Sequence, residues 1–130
     1  MPTLEEARQF FSGDRFATDA TGCEILKVSE RYAKCVLPLD SRHYNAVGQV
    51  MGGVSYTLAD FTFAVASNFH QPATVTITAQ ISYLGTVKGD RLYAESRLIK
   101  DGRRTCFYEV TVTDDLDNPI AVVNFTGAHV

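Results

Sequence analysis

Residues 54–83 read VSYTLADFTFAVASNFHQPATVTITAQISY, and two different apolar periods meet within this stretch. Its first half has apolar residues at helical spacing, namely Val54, Leu58, Phe61 and Val65. Because the remaining faces are also largely apolar, we predict a buried helix over Val54–Asn68. At about 15 residues this helix is too short to cross a membrane.

After Pro72 the apolar period changes from that of a helix to two. The apolar positions are Val75, Ile77, Ala79, Ile81 and Tyr83. Polar side chains, four of them threonine or serine, occupy the positions between them. Strict alternation over ten residues predicts a β-strand.

The rest of the chain divides into short elements on either side of this stretch. A capping residue, Thr3, opens a predicted short helix that Gly13 ends. Further predicted strands are Glu24–Ser29, Arg31–Leu37, 91–100, 103–113 and 120–126. Short connections predict that the last four strands form an antiparallel meander, with Asp101-Gly102 as a type I′ hairpin turn. We therefore predict one α+β domain over residues 1–130, its sheet covering the apolar helix.

Composition limits the function classes that this chain can serve. The formal net charge is −3, with 45% hydrophobic and 21% charged residues, which gives no bulk attraction to nucleic acid. No apolar run is long enough for a transmembrane helix, and the first eleven residues do not resemble a secretory signal. Cys23, Cys35 and Cys106 are an odd number at wide spacings without a metal motif. We expect a cytoplasmic protein with no membrane partner.

Asp60 is the only formally charged residue between Tyr44 and Val87, and it lies inside the predicted buried helix. Burial of a carboxylate among apolar groups is costly and raises its pKa. Such a setting is typical of a general base or nucleophile. The alternative is that Asp60 caps a neighbouring element or faces solvent.

Gly52-Gly53 precedes the predicted helix and gives a second candidate group. Free amides at a helix N-terminus stabilise negative charge, including the oxyanion of a thioester attack, although a Gly-Gly pair also suits a plain turn. Eight helical residues separate Gly52 from Asp60 by roughly 12 Å. If both groups act on one substrate, they come from two subunits with antiparallel helices.

Residues 43–53, HYNAVGQVMGG, followed by LAD at 58–60, resemble the signature of PaaI-like hotdog acyl-CoA thioesterases, H-x-N-x-x-G-x-x-H-G-G then L-x-D. Weaker similarity extends through residues 81–84, 88–90 and 102–105 and covers roughly residues 20 to 128. The resemblance implies an antiparallel sheet wrapped around one long helix. It also implies homodimers, commonly homotetramers, with the site between subunits and no cofactor apart from the CoA of the substrate.

The resemblance also implies roles for individual residues. Asp60 corresponds to the catalytic carboxylate, Gly52 to the backbone donor for the thioester carbonyl, and Asn45 to the asparagine that orients the reacting groups. Thr76 lies where related enzymes have a hydroxyl near the attacking water, although it equally suits the polar face of a strand. Met51 departs from the signature, which has histidine there.

A second group of residues is predicted to bind the substrate. Met51 and Gly53 flank the backbone donor. The resemblance assigns the CoA portion to Tyr83 and to the segment around the Asp101-Gly102 turn, where the basic residues are Arg97, Lys100, Arg103 and Arg104. Guanidinium groups suit phosphate oxygens, but a solvated basic turn is the alternative.

Three functions remain open at this level. The first is hydrolysis of an acyl-CoA thioester, with aromatic residues that suit an aromatic or medium-chain acyl group: Tyr56, Phe61, Phe63 and Tyr83. The second is binding of acyl-CoA without catalysis, which Met51 favours. The third is a hotdog dehydratase, for which His43 would have to serve as the base.

Overall fold

The computed structural model describes residues 3–130. Helix α1 spans Leu4–Phe11, and the longer helix α2 spans Gly52–Asn68. The strands are β1 Glu24–Ser29, β2 Tyr32–Pro38, β3 Thr74–Tyr83, β4 Arg91–Asp101, β5 Thr105–Asp114 and β6 Pro119–His129. A π-helical segment, Phe16–Thr21, and a 3₁₀ turn, Ser41–His43, lie in the connections. Residues 1 and 2 of the predicted domain lie outside the described residues.

The six strands form one antiparallel sheet in the order β1-β2-β4-β5-β6-β3. The predicted meander is confirmed for β4, β5 and β6. It is wrong for β3, because β3 pairs with β6 and not with β4. The inner edge of β4 is occupied by β2. The connection after β3 reaches β4 past the β5–β6 turn, where the Leu84 N–H donates to the Ile120 carbonyl and the Lys88 N–H to Asp114. Strand β3 is therefore an edge strand.

Helix α2 is the centre of the core, as predicted. Its buried residues are Ser55, Leu58, Ala59, Phe61, Thr62, Phe63, Val65, Ala66 and Ser67. The Phe63 ring stacks on Phe125 of β6 with centroids 4.6 Å apart, and Phe61 meets Phe11 of α1 edge to face. The helix begins at Gly52, two residues before the predicted start. The curled sheet and α1 thus cover most of the helix surface.

Of the two local predictions at the ends of elements, one is confirmed and one is wrong. The N-cap is confirmed, since the Glu6 N–H donates to Thr3 Oγ1 at 3.1 Å. The type I′ turn is wrong, because Gly102 is not among the residues of positive φ, which such a turn requires. Instead a bulge near Leu98 carries β4 to Asp101, and Gly102 donates to the Thr105 carbonyl at 2.8 Å.

Candidate active site

Asp60 lies half-way along α2, where the helix is not covered by the sheet. It opens onto a cavity of about 430 Å³ between α2 and the segment that follows α1. The lining residues are Asp14, Arg15, Phe16, Ala17, Tyr56, Thr57, Asp60, Phe61 and Ala64. The Asp60 carboxylate forms no ion pair or capping hydrogen bond within residues 3–130. A small molecule can therefore reach it through the cavity.

The electrostatic setting of Asp60 favours its protonated form. Burial, and then the negative charge of Asp14, raise the pKa of Asp60 above its ordinary value of 3.8. Burial and the charge of Asp60 in turn raise the pKa of Tyr56. A carboxylate with a raised pKa and no cationic partner is a stronger base than a solvated aspartate. Asp60 thus has the properties expected of a general base or nucleophile.

The N-terminus of α2 is held by Tyr83. The Tyr83 hydroxyl donates to the Gly52 carbonyl at 2.8 Å. A Cβ on residue 52 would lie only 2.8 Å from that hydroxyl oxygen, so a side chain there would have to displace the Tyr83 ring. The Gly52 N–H has no acceptor within residues 3–130 and is one of the free donors of a helix N-terminus. Met51 and Gly53 beside it are exposed.

Gly52 and Asp60 both lie on α2, so the separation expected from the sequence applies in the fold. Eight residues of α2 place them roughly 12 Å apart along the helix axis. A single carbonyl group cannot contact both of them in one chain.

Asn45 organises the loop before α2. Its Oδ1 accepts hydrogen bonds from the N–H groups of Val47, at 3.1 Å, and Gln49, at 3.0 Å. Its own N–H donates to the Gln49 carbonyl at 2.7 Å. Asn45 is exposed, and its side-chain NH₂ group makes no hydrogen bond within residues 3–130. Asn45 thus fixes the loop and keeps a donor available.

The predicted CoA-binding groups lie at opposite ends of the edge strand. Lys100, Arg103 and Arg104 are exposed at the β4–β5 turn. That turn adjoins the start of β3, because the His129 N–H donates to the Arg104 carbonyl at 2.9 Å and His129 pairs with Thr74. The exposed Thr76 lies near this end of β3, whereas Tyr83 lies at the other end, roughly 23 Å further along the strand. One chain therefore does not gather the predicted residues into one site.

Other nucleophile and base candidates are committed to the structure. His43 is buried, with Nδ1 accepting from the Asp40 N–H at 3.0 Å and Nε2 donating to the Thr21 carbonyl at 2.7 Å. Both ring nitrogens are thereby occupied, which argues against a role as dehydratase base. All three cysteines are buried, and burial raises the pKa of Cys23 and of Cys35 to about 12. They pack in the core, as predicted.

Two features escaped the sequence analysis. Asp14 faces the cavity of Asp60 from a segment with no predicted element, and no local pattern links positions so far apart. Asp101, Cys106 and His129 also converge, with one ligand atom of each within 4.8 Å of the others. Their spacing in sequence matches no metal motif, and only strand register brings them together.

None of the helices within residues 3–130 has the length and apolarity needed to cross a membrane.

Comparison with known proteins gives the family. Residues 47–121 match the model of the thioesterase superfamily. A putative esterase of Archaeoglobus fulgidus is 33% identical over 103 residues, which cover 78% of this chain and 67% of that protein. The acyl-coenzyme A thioesterase PaaI of Escherichia coli is 25% identical over 119 residues, or 91% of this chain and 84% of PaaI.

Solved structures agree with that family. The E. coli PaaI protein from the phenylacetic acid degradation operon has a TM-score of 0.85 at 21% identity, with 98% of this chain and 96% of that chain covered. The smu.793 protein of Streptococcus mutans, solved with acetyl CoA bound, has a TM-score of 0.78 at 28% identity, covering 83% and 88%. The chain therefore belongs to the thioesterase superfamily and is a PaaI-like hotdog thioester hydrolase.

Proposed function

We propose that this protein hydrolyses acyl-CoA thioesters of small aromatic or medium-chain acids. Its active unit is a homodimer, and two homodimers assemble into a homotetramer. Asp60 of one subunit serves as base or nucleophile, and the Gly52 N–H of the other subunit binds the carbonyl oxygen. One observation carries the proposal: Asp60 opens onto a cavity without a cationic partner, while the free Gly52 N–H lies roughly 12 Å along the same helix.

The exposed edge strand supports an assembly of two copies. Strand β3 has one paired edge, and its exposed side chains include Val75, Ile77 and Tyr83. An open edge that carries apolar side chains is a template for pairing with another chain. Antiparallel pairing of two β3 strands would bring the Thr74 end of one copy beside the Tyr83 end of its partner. The basic turn of one subunit would then approach Gly52 of the other.

The proposed chemistry needs a base and an oxyanion donor. In the general-base form Asp60 takes a proton from water, whose oxygen bonds to the thioester carbon. The Gly52 N–H stabilises the negative oxygen that forms. The carbon–sulfur bond then breaks, and the CoA thiolate takes up the proton to leave as free thiol. In the nucleophilic form the Asp60 carboxylate attacks the thioester carbon, and the carbon–sulfur bond breaks to release the CoA thiolate, which takes a proton from water. A water molecule then cleaves the resulting anhydride to give the free acid and to restore the Asp60 carboxylate.

The substrate-binding part of the proposal uses exposed groups. Arg103, Arg104 and Lys100 would pair with the CoA phosphates, with Gly102 in the same turn. Asn45 would direct its free amide donor at the thioester, and Thr76 would hydrogen-bond the attacking water. Aromatic side chains of the cavity, Tyr56 and Phe61, suit a compact apolar acyl group.

Binding of acyl-CoA without turnover is the second candidate, and one observation favours it. Met51 is 56% exposed beside the Gly52 donor, so the position where the signature has histidine offers no polar group to the substrate. A binder would saturate with acyl-CoA yet release no thiol.

Release of free thiol from a panel of aromatic, medium-chain and long-chain acyl-CoAs tests the proposal. We expect turnover by the wild type, and a fall in kcat of roughly 10²–10⁴-fold for Asp60→Asn, because the base is removed. Asp117→Asn is the matched control, since Asp117 lies in an exposed turn at positive φ, which asparagine tolerates. Saturable acyl-CoA binding with no thiol release from any substrate would establish the binder instead.

A further inference from the structure

Strand register places three metal-ligating side chains together at one end of the sheet. Asp101 at the end of β4 pairs with Cys106 of β5, and Cys106 pairs with Gly127 of β6. His129 lies two residues beyond Gly127, on the same face. One ligand atom of each side chain, a carboxylate oxygen, Sγ and an imidazole nitrogen, lies within 4.8 Å of the others.

Gly127 allows the close approach of Cys106 to this end of the sheet. A Cβ at residue 127 would lie 2.9 Å from Cys106 Sγ and 2.8 Å from the Thr74 methyl group. Cys106 is fully buried, while the side chains of Asp101 and His129 are 20% and 16% exposed. The cluster thus has a closed inner side and an opening on the side of the carboxylate and imidazole.

The outer hydrogen bonds already orient the imidazole. His129 Nδ1 lies 2.9 Å from Thr74 Oγ1, and that oxygen lies 3.1 Å from the Pro72 carbonyl. If the Thr74 hydroxyl donates to Pro72, it accepts from the Nδ1–H of His129. Nε2 lies 2.8 Å from Asp101 Oδ1, a hydrogen-bond distance, so a metal ion would replace the proton that these two atoms share. Metal-binding histidines have this arrangement, in which one ring nitrogen donates to a fixed acceptor and the other faces the metal.

We propose that Asp101, Cys106 and His129 bind one zinc ion through Oδ1, Sγ and Nε2. Zinc takes thiolate, imidazole and carboxylate ligands at about 2.0–2.3 Å, so tetrahedral ligand atoms are roughly 3.3–3.8 Å apart. The ligand atoms of the cluster lie within 4.8 Å of one another, so side-chain rotation would have to bring them to those separations. A solvent molecule completes the four ligands on the open side. Binding releases the thiol proton of Cys106 and the proton that Nε2 and Oδ1 share, and it replaces the contact between those two atoms.

Arg31 gives the proposal its most specific consequence. Its Nε donates to Asp101 Oδ2 at 2.6 Å, so the carboxylate keeps Oδ1 for the metal. We therefore expect Arg31→Gln to weaken Zn²⁺ binding, as loss of an outer partner does. Unchanged Zn²⁺ affinity in Arg31→Gln would contradict this role of Arg31.

Titration of the purified protein with Co²⁺ as the probe tests the site directly. We expect one equivalent to produce the near-ultraviolet absorption of a cobalt–thiolate bond and added Zn²⁺ to displace it. Cys106→Ser should abolish that absorption, whereas Cys23→Ser, also a buried cysteine, should keep it. Thr74→Val should weaken Zn²⁺ binding about 10–100-fold, as loss of an outer partner does.

Thermal unfolding with and without Zn²⁺ provides a readout that is independent of activity. We expect Zn²⁺ to raise the Tm of the wild type and of His70→Asn, and to leave the Tm of Cys106→Ser unchanged. Absence of a cobalt–thiolate band in the wild type, or equal Zn²⁺ affinity in wild type and Cys106→Ser, would overturn the proposal.

Discussion

At the scale of single residues, the candidate site is defined by a carboxylate whose proton affinity depends on a second one. Asp60 and Asp14 line the same cavity from different elements. Burial and the charge of Asp14 both raise the pKa of Asp60. As the base must be ionised, activity is lost as the pH falls through this raised pKa. The acid limb of the rate profile therefore lies above the range of a solvated aspartate.

Asp14→Asn is expected to move that acid limb to lower pH, because it removes the charge that opposes ionisation of Asp60. The measurement is kcat as a function of pH for the wild type and the variant. Glu5→Gln, which changes an exposed carboxylate on α1, is the control and should leave the limb unmoved. A limb that stays in place, or moves to higher pH, in Asp14→Asn would contradict the coupling of the two carboxylates.

Two substitutions of Gly52 separate the effect of losing its N–H from the effect of adding a side chain. Gly52→Ala and Gly52→Pro both add a Cβ against the Tyr83 hydroxyl, but only proline removes the N–H. Proline suits the first position of a helix, and the extended conformation of Met51 suits the residue before it. We expect Gly52→Pro to have a kcat roughly 10²–10³-fold below that of Gly52→Ala. Equal kcat values in the two variants would exclude the amide as a donor.

At the scale of elements, local pattern predicted the helices and strands but not their neighbours. The apolar period over α2 predicted the helix, and the alternation over β3 predicted the strand, because each pattern is long and unbroken. The pairing of β3 with β6 depends on how the sheet closes around α2, which no local period encodes. The segment Phe16–Thr21 was missed because its six residues, FATDAT, have no regular apolar spacing. Asp14 could not be predicted either, because only the fold brings it to the cavity of Asp60. Asp60 could be predicted because it is the only charged residue in its apolar stretch of sequence.

The connection before β4 depends on one buried carboxylate in the β5–β6 turn. Asp114 accepts hydrogen bonds from the N–H groups of Lys88 and Gly89, and from the Leu116 and Asn118 N–H groups within its own turn. Burial opposes its ionisation, but these bonds and the Asn118 side chain hold the pKa of Asp114 well below its usual value. The Lys88-Gly89-Asp90 segment, which resembles the family sequence, therefore has a structural role as the partner of Asp114.

Asp114→Asn is expected to lower the free energy of unfolding at pH 7 by about 3 kcal/mol, because buried donors lose their acceptor. Because the pKa of Asp114 is lower in the folded than in the unfolded chain, the ionised side chain stabilises the fold at pH values above the unfolded pKa, near 3.9. This stabilisation is lost as the pH falls through the folded-state pKa. The difference between wild type and variant should therefore shrink towards pH 3. Denaturant titrations at both pH values measure it, with Asp117→Asn as the control. A difference that is the same at both pH values would show that the charge of Asp114 is unimportant.

At the scale of the whole molecule, one chain contains all the proposed groups but keeps them apart. The Gly52 donor and Tyr83 lie at one end of β3, the basic turn lies at the other, and Asp60 lies midway along α2. A two-fold axis at the β3 edge would superimpose opposite ends, and a symmetric dimer would then form two equal sites. Each site would draw Asp60 from one subunit and the Gly52 N–H from the other.

Mixed dimers test this division of labour. Asp60→Asn and Gly52→Pro homodimers should each be nearly inactive, since every site lacks one group. In a mixed dimer one site lacks both groups, and the other combines Asp60 of the Gly52→Pro chain with Gly52 of the Asp60→Asn chain. Random reassortment of equal amounts should therefore restore about a quarter of wild-type thiol release, because half of the dimers each gain one complete site. If exchange of subunits is verified by mass spectrometry and thiol release stays at the level of the two separate variants, both groups act within a single chain, and the shared site is wrong.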